Sequence, residues 1–230
     1  GSRSALNAAV RAGADAVYLG LDRFNARRNA DNFTLDALEE ACDYAHLRGV
    51  RVYVTMNTLI LADELQDASD LSRQAYRAGA DAFIVQDLGL AAEIARTLPE
   101  GALHISTQMN IHSADGLQAA AQLGASRVTL ARELSLEEIA HLVVLGEELG
   151  VECEVFGHGA LCVCYSGQCL MSSMIGGRSA NRGLCAQACR LPYSLVNGNE
   201  PDKELRCPGE FLLSPKDLMT ADRLDELVKV

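Results

Sequence analysis

The sequence predicts an α/β chain: a TIM-type (β/α) barrel, incomplete within these 230 residues, with a cysteine-rich loop and helix region at its C-terminal face. Three observations predict it. One phrase recurs, at 11–20 (RAGADAVYLG), 47–57 (LRGVRVYVTMN), 77–87 (RAGADAFIVQD), 123–133 (LGASRVTLARE) and 149–159 (LGVECEVFGHG). In each copy a glycine closes a helix and a short apolar run follows. Gly13, Gly49, Gly79, Gly124 and Gly150 supply the left-handed cap. The run then reads as a buried parallel strand, apolar on both faces. Amphipathic helices fill the gaps, and no glycine-rich phosphate loop follows the first strand. A repeated helix–Gly–strand unit leaves a barrel or a doubly wound sheet, and the missing phosphate loop favours the barrel.

Taken in order, the strands are 16–20, 51–56, 82–86, 103–107, 127–131 and 152–156. A full barrel has eight. The chain starts and ends on a helix (the last from Asp222 to Val230), so at least one strand is expected beyond each end. The helix from Leu35 carries Leu35, Leu38, Ala41, Cys42 and Ala45 on one face, with Thr34 as its cap. The helix from Leu136 has Ser135 as cap and Glu138 placed for a capping box. Residues 1–156 form the barrel units. Residues 157–230 form the cysteine-rich region and a last barrel helix of the same domain.

With 31 acidic against 20 basic residues, the net charge of −11 argues against non-specific nucleic-acid binding. The exception is local. Between Phe156 and Asn199 there is no Asp or Glu, but there are Arg178, Arg182 and Arg190. No apolar run approaches the roughly 18 to 20 residues of a membrane helix. Eight cysteines with no visible leader point to a reducing, cytoplasmic setting, where clustered thiols bind metal or do redox chemistry.

Barrel chemistry sits at the C-terminal ends of the strands. Here those ends carry Asn57, then Gln86 and Asp87, then Gln108 and Asn110, then Arg132 and Glu133, and last His158. Amide, guanidinium, carboxylate and imidazole groups converging there suit a small polar or carboxylated ligand. Arg132, Glu133 and His158 are the catalytic candidates, and the amides and Asp87 the binding ones. His46 and His141 read as surface residues, His104 and His112 as structural.

Five of the eight cysteines lie in 157–193, including Cys162-x6-Cys169-x15-Cys185-x3-Cys189. No paired C-x2-C ribbon and no ferredoxin run is present. Spread thiolates from loops are compatible with a [4Fe-4S] cluster, with zinc as the alternative occupant. Cys42 and Cys153 read as core and Cys164 as packing. A cysteine nucleophile would have only His158 as a nearby base.

At this stretch the chain resembles the peptidase U32 family, also called collagenase-like proteases. The resemblance rests on EVFGHGALCVCYSGQCLMSS, GGRSANRGLCAQACRLPYSL and LLSPKDL, with GADAVYLG, VYVTMNTL, FIVQDLG, STQMNIHS and RVTLARELS matching barrel strands. The family name implies a peptidase, but neither H-E-x-x-H nor G-x-S-x-G occurs. Its better understood members imply hydroxylation of a tRNA or 23S rRNA base, with prephenate as a required metabolite. Others hydroxylate ubiquinone precursors without oxygen and hold a [4Fe-4S] cluster on four cysteines.

Carried over, Cys162, Cys169 and Cys185 match motif cysteines. Met219 stands in SPKDLM where some members have a fourth, which leaves Cys189 as fourth ligand and Cys207 in reserve. Arg27 matches a family arginine, while Arg28 and Asn29 replace small residues. The leading expectation is an iron–sulfur protein supporting RNA-base hydroxylation, with Arg132, Arg178 and Arg182 holding an anionic metabolite or RNA phosphate. The alternatives are a peptidase and the cluster-bearing subunit of a ubiquinone-type heterodimer. A homodimer is also compatible.

Overall fold

The computed structural model describes residues 1–99, 101–205 and 211–230. Six parallel strands form one curled sheet: β1 (Ala16–Gly20), β2 (Arg51–Met56), β3 (Ala82–Val85), β4 (Leu103–Ile105), β5 (Arg127–Thr129) and β6 (Glu152–Glu154). Each strand pairs with the one before it in sequence, from β1 to β6 without reversal. A doubly wound sheet reverses its strand order so that helices cover both faces. This order keeps every right-handed crossover on the same side. The architecture is a half-barrel, consistent with an incomplete TIM type.

Helices α1 (Arg3–Arg11), α2 (Leu35–His46), α3 (Leu65–Arg77), α4 (Leu88–Thr97), α5 (Ala114–Gln122) and α6 (Leu136–Leu149) alternate with the strands. Local chemistry sets their ends as the sequence predicts. Thr34 accepts from the Ala37 N–H, and Ser135 and Glu138 form the capping box at α6. The five predicted cap glycines all have positive φ. Gly79 (φ 101°) also lies so close to Cys42 that a Cβ there would come within 2.8 Å of the Cys42 Cβ.

The core lies between the sheet's outer face and the helices. Val52, Val54, Met56, Phe83, Val85, Leu103, Ile105 and Val128 meet Leu38, Leu90, Ile94 and Leu117 there. Cys42 belongs to this core, and burial, with Asp81 and other nearby carboxylates adding, pushes its thiol up to about 12.

The opposite, concave face corrects the expectation of strands apolar on both sides. It carries Tyr53, Thr55, His104, Arg127, Thr129, Glu152 and Glu154. Arg127 donates through Nε to Glu152 at 2.8 Å and through Nη1 to the Tyr53 hydroxyl at 3.3 Å. It also reaches Glu154 at 3.4 Å, and Thr129 Oγ1 donates to the same carboxylate at 3.0 Å. The Tyr53 and His104 rings meet edge to face at 4.7 Å. Hydrogen bonds and ion pairs thus replace the branched aliphatic layers of a closed barrel.

The first two strands end where the sequence predicts, and the last four stop one or two residues sooner. After β4, Ser106 accepts from the Gln108 N–H and turns the chain into a 3-10 turn at Thr107–Met109. Beyond β6 come β7 (His158–Gly159), α7 (Met171–Gly176), β8 (Leu195–Asn197), β9 (Glu200–Leu205), β10 (Leu218–Met219) and α8 (Leu224–Lys229). β7 pairs antiparallel with β10, and β8 with β9. The last helix is shorter than predicted, because Ala221–Arg223 form a 3-10 turn ahead of it. No described helix is long and apolar enough to cross a membrane.

Candidate functional site

The loops leaving the strands are bound to one another, and several polar residues predicted as ligands do that binding. Asn57 accepts from the Ala26 N–H at 3.0 Å and joins the ends of β1 and β2. Asp87 caps α4, accepting from the Leu90 N–H at 3.0 Å, and its other oxygen accepts from the Ile60 N–H at 3.1 Å. Asn110 is left-handed (φ 59°), and its carbonyl accepts from His112 Nδ1 at 2.7 Å. Gln86 is buried and donates to the Gln108 carbonyl at 3.3 Å, while its own Oε1 has no partner.

The sequence reading missed two residues that organise this region. Asn25 is buried, donates to the Leu21 carbonyl and accepts from the Arg27 N–H at 2.8 Å. Gly20 leaves room for it, since a Cβ there would come within 2.8 Å of Asn25 Cγ. A glycine closing a strand ahead of a polar loop is the signal that marks the position. Ser166, wholly buried, is the second. Its N–H donates to Glu133 Oε1 at 2.9 Å and its hydroxyl to the same carboxylate at 3.2 Å. Arg132 Nε donates to the Ser166 hydroxyl at 3.1 Å, and Thr107 Oγ1 lies 3.5 Å from it.

Glu133 and Arg132 therefore meet on a serine between two cysteines. Next to it, Gly167 (φ 70°) runs so close to the chain that a Cβ would stand 1.9 Å from the Gln108 carbonyl oxygen. Gly183 (φ 79°) approaches the Asn25 carbonyl in the same way, at 2.4 Å.

Arg182, predicted to hold substrate, is committed elsewhere. Its guanidinium forms a two-pronged pair with Glu64, 2.8 Å on each side, and donates to the Leu59 carbonyl at 3.1 Å. These bonds, with the Leu61 N–H, hold the Glu64 carboxyl down at about 2. Among the described residues, the side chains of Arg27, Arg178 and His158 have no polar partner. His158 stands opposite Met219 on β7–β10.

The cysteines influence one another. Burial raises the Cys164 thiol first, and Cys169 and Cys162 raise it further. Burial also raises Cys189; Arg190 opposes this, and Cys162, Cys185 and Cys169 add to it. Cys164 and Cys189 thus each feel the thiols around them. Cys153 lies apart, directed at the Leu142 carbonyl.

The donor set fits a thiolate-bound metal or cluster in kind, with no carboxylate between 157 and 199. As placed, no three His, Cys, Asp or Glu among the described residues stand at ligating geometry. Cys207 lies outside the described residues. Beside the Ser166 hub, a cavity of about 500 Å³ opens among Leu130, Arg132, Ile139, Phe156, Leu218 and Leu227.

Comparison with known proteins follows the same lines. The chain is 44% identical to a 23S rRNA 5-hydroxycytidine synthase of Escherichia coli strain K12, over 81% of this chain and 28% of that protein. It is 33% identical to a tRNA hydroxylation protein of Bacillus subtilis strain 168, over 100% of this chain and 54% of that one. It is also 35% identical to a collagenase of Porphyromonas gingivalis, over 99% of this chain and 56% of that one. The chain therefore spans about half or less of the length of these relatives. A solved U32 peptidase structure superposes with a TM-score of 0.57 at 20% identity, over 69% of this chain and 66% of that one, a likeness of fold. Residues 1–230 match one family description throughout, and the chain belongs to peptidase family U32.

Proposed function

We propose that this chain is the cluster-bearing part of an enzyme that hydroxylates a base of tRNA or 23S rRNA. The observation that carries the reading is the 44% identity to an rRNA hydroxycytidine synthase over 81% of the chain. The neighbouring thiols support it. Cys162, Cys169, Cys185 and Cys189 would hold a [4Fe-4S] cluster, with Cys207 in reserve. Soft thiolates suit that group, and when bound it supplies one-electron redox chemistry at the mouth of the barrel.

The chain's own residues bind and orient. Arg132 spends its Nε on Ser166 and keeps its outer nitrogens for an anion. Facing the neighbouring cavity, it would hold a small carboxylate such as prephenate by charge-assisted hydrogen bonds. Glu133 fixes Ser166, and Ser166 fixes Arg132, so the fork is oriented before the ligand arrives.

The test is anaerobic purification with iron, sulfide and zinc analysis, then mass spectrometry of rRNA and tRNA nucleosides after incubation. About four iron and four sulfide per chain, with a hydroxylated nucleoside, is the expected result. Stoichiometric zinc that survives anaerobic reconstitution would remove the redox chemistry. A peptidase is the second reading, favoured by the 35% identity to a collagenase over 99% of the chain. Cleavage of gelatin by the cluster-free protein would put it first.

A further inference from the structure

Tyr165 is an exposed aromatic on a rigid support. The residue is 68% exposed, yet the next one, Ser166, is wholly buried. The Ser166 bonds to Glu133 and Arg132 fix the turn, the Gln168 N–H closes it on the Tyr165 carbonyl at 3.1 Å, and Gly167 rests against Gln108. A side chain displayed this way loses little freedom when it meets a ligand. Just after the turn, α7 turns Met174 and Ile175 to solvent, 85% and 65% exposed. Arg178 follows. Its backbone is held at both ends, N–H to the Ser172 carbonyl at 3.1 Å and carbonyl to the Ser173 hydroxyl at 3.0 Å. Its guanidinium has no partner among the described residues.

The charge of this surface is one-sided. No carboxylate occurs between Phe156 and Asn199 in a chain of net charge −11. Arg190 lies in the same stretch, and its bonds among the described residues are to neutral oxygens, of Ser214, Pro215 and Leu161. An exposed, backbone-fixed aromatic in an acid-free, arginine-bearing stretch suits an unstacked base and its phosphate better than it suits a duplex.

We propose that Tyr165 is a stacking platform for an unpaired RNA base, with Arg178 on the neighbouring phosphate. This rests on the RNA reading above. It gives that reading a contact surface on the cysteine-bearing turn, which Ser166 ties to the end of β5 and where a single-stranded loop is received.

The test is fluorescence anisotropy with a labelled short single-stranded RNA, for wild type, Tyr165→Phe, Tyr165→Ala and Arg178→Ala. Thermal melts confirm that each variant is folded. Tyr165→Ala is expected to bind about tenfold more weakly, and Tyr165→Phe close to wild type. Arg178→Ala is expected to lower the slope of log affinity against log salt by about one contact. Wild-type affinity in Tyr165→Ala would overturn the platform and leave the RNA reading standing. No RNA binding by wild type would overturn both.

Discussion

Ser166 and Glu133 lie 33 residues apart and are joined twice, through the serine N–H at 2.9 Å and its hydroxyl at 3.2 Å. One carboxylate thereby satisfies two buried donors and fixes the cysteine-bearing turn to the end of β5. Removing the acceptor leaves the donors of the wholly buried Ser166 without their partner, although Glu133 itself lies at the surface. Glu133→Gln keeps the shape but loses the charge that strengthens both bonds, and Ser166→Ala loses only the hydroxyl. We expect a loss of about 1 to 3 kcal/mol for each, larger for Glu133→Gln. Urea unfolding measures it, and equal stability of Glu133→Gln and wild type would refute the hub.

Gly167 adds a steric condition to the same turn. With φ at 70° and a Cβ that would fall 1.9 Å from the Gln108 carbonyl oxygen, no side chain fits without moving backbone. Gly167→Ala is expected to cost more than about 1 kcal/mol through the left-handed backbone alone. It should also expose the Cys162–Cys169 loop to thiol reagents. Labelling kinetics at neutral pH check this, and unchanged rates would show that the turn does not hold the loop.

The Arg182–Glu64 pair responds to acid. Its carboxyl is held at about 2 against the usual 4.5, so the pair stabilises the fold fully above the unfolded value and loses this as pH falls towards 2. Both side chains are partly exposed, and solvent screening limits the contribution to about 1 kcal/mol. Glu64→Gln is expected to be less stable than wild type at pH 6, with the difference shrinking at pH 3. Urea midpoints at the two pH values decide, and a constant gap would refute the assignment.

His104 titrates in a different window. Burial first, then the Arg127 charge, lowers it to about 4, and its Nδ1 has no partner. Between about 6.5 and 4 the unfolded chain takes a proton that the folded chain refuses, so stability falls as pH drops through that range. The full shift corresponds to about 3 kcal/mol. His104→Gln should remove most of this dependence, and identical pH profiles for the two proteins would contradict it.

These residues also show where sequence reasoning reaches its limit. Thr34, Ser135 with Glu138 and the five cap glycines act on neighbours three or four positions away, so their roles are legible locally. Asp87 and Asn57 were legible as polar strand ends but not as loop fasteners, because Ile60 and Ala26, which they hold, are far off in sequence. Arg182 read as a free cation because Glu64 lies 118 residues away. The concave face was misjudged for a general reason. A parallel strand covered on both sides is apolar throughout, whereas here Arg127 and Glu152 compensate each other across one face. Whether an intervening Tyr or His is buried beside such a pair depends on strand register, which no local pattern prints.

The unreversed strand order has a kinetic consequence. Each strand meets a partner already made, so the sheet can grow in step with synthesis, and only short loops need to close. The thiol-bearing segment comes later, and its fastenings reach back 33 residues to Glu133, 118 to Glu64 and further to Asn25. It therefore docks last, onto a finished scaffold. By the same token its opening as a unit would leave the sheet closed, and its thiols would become accessible without global unfolding.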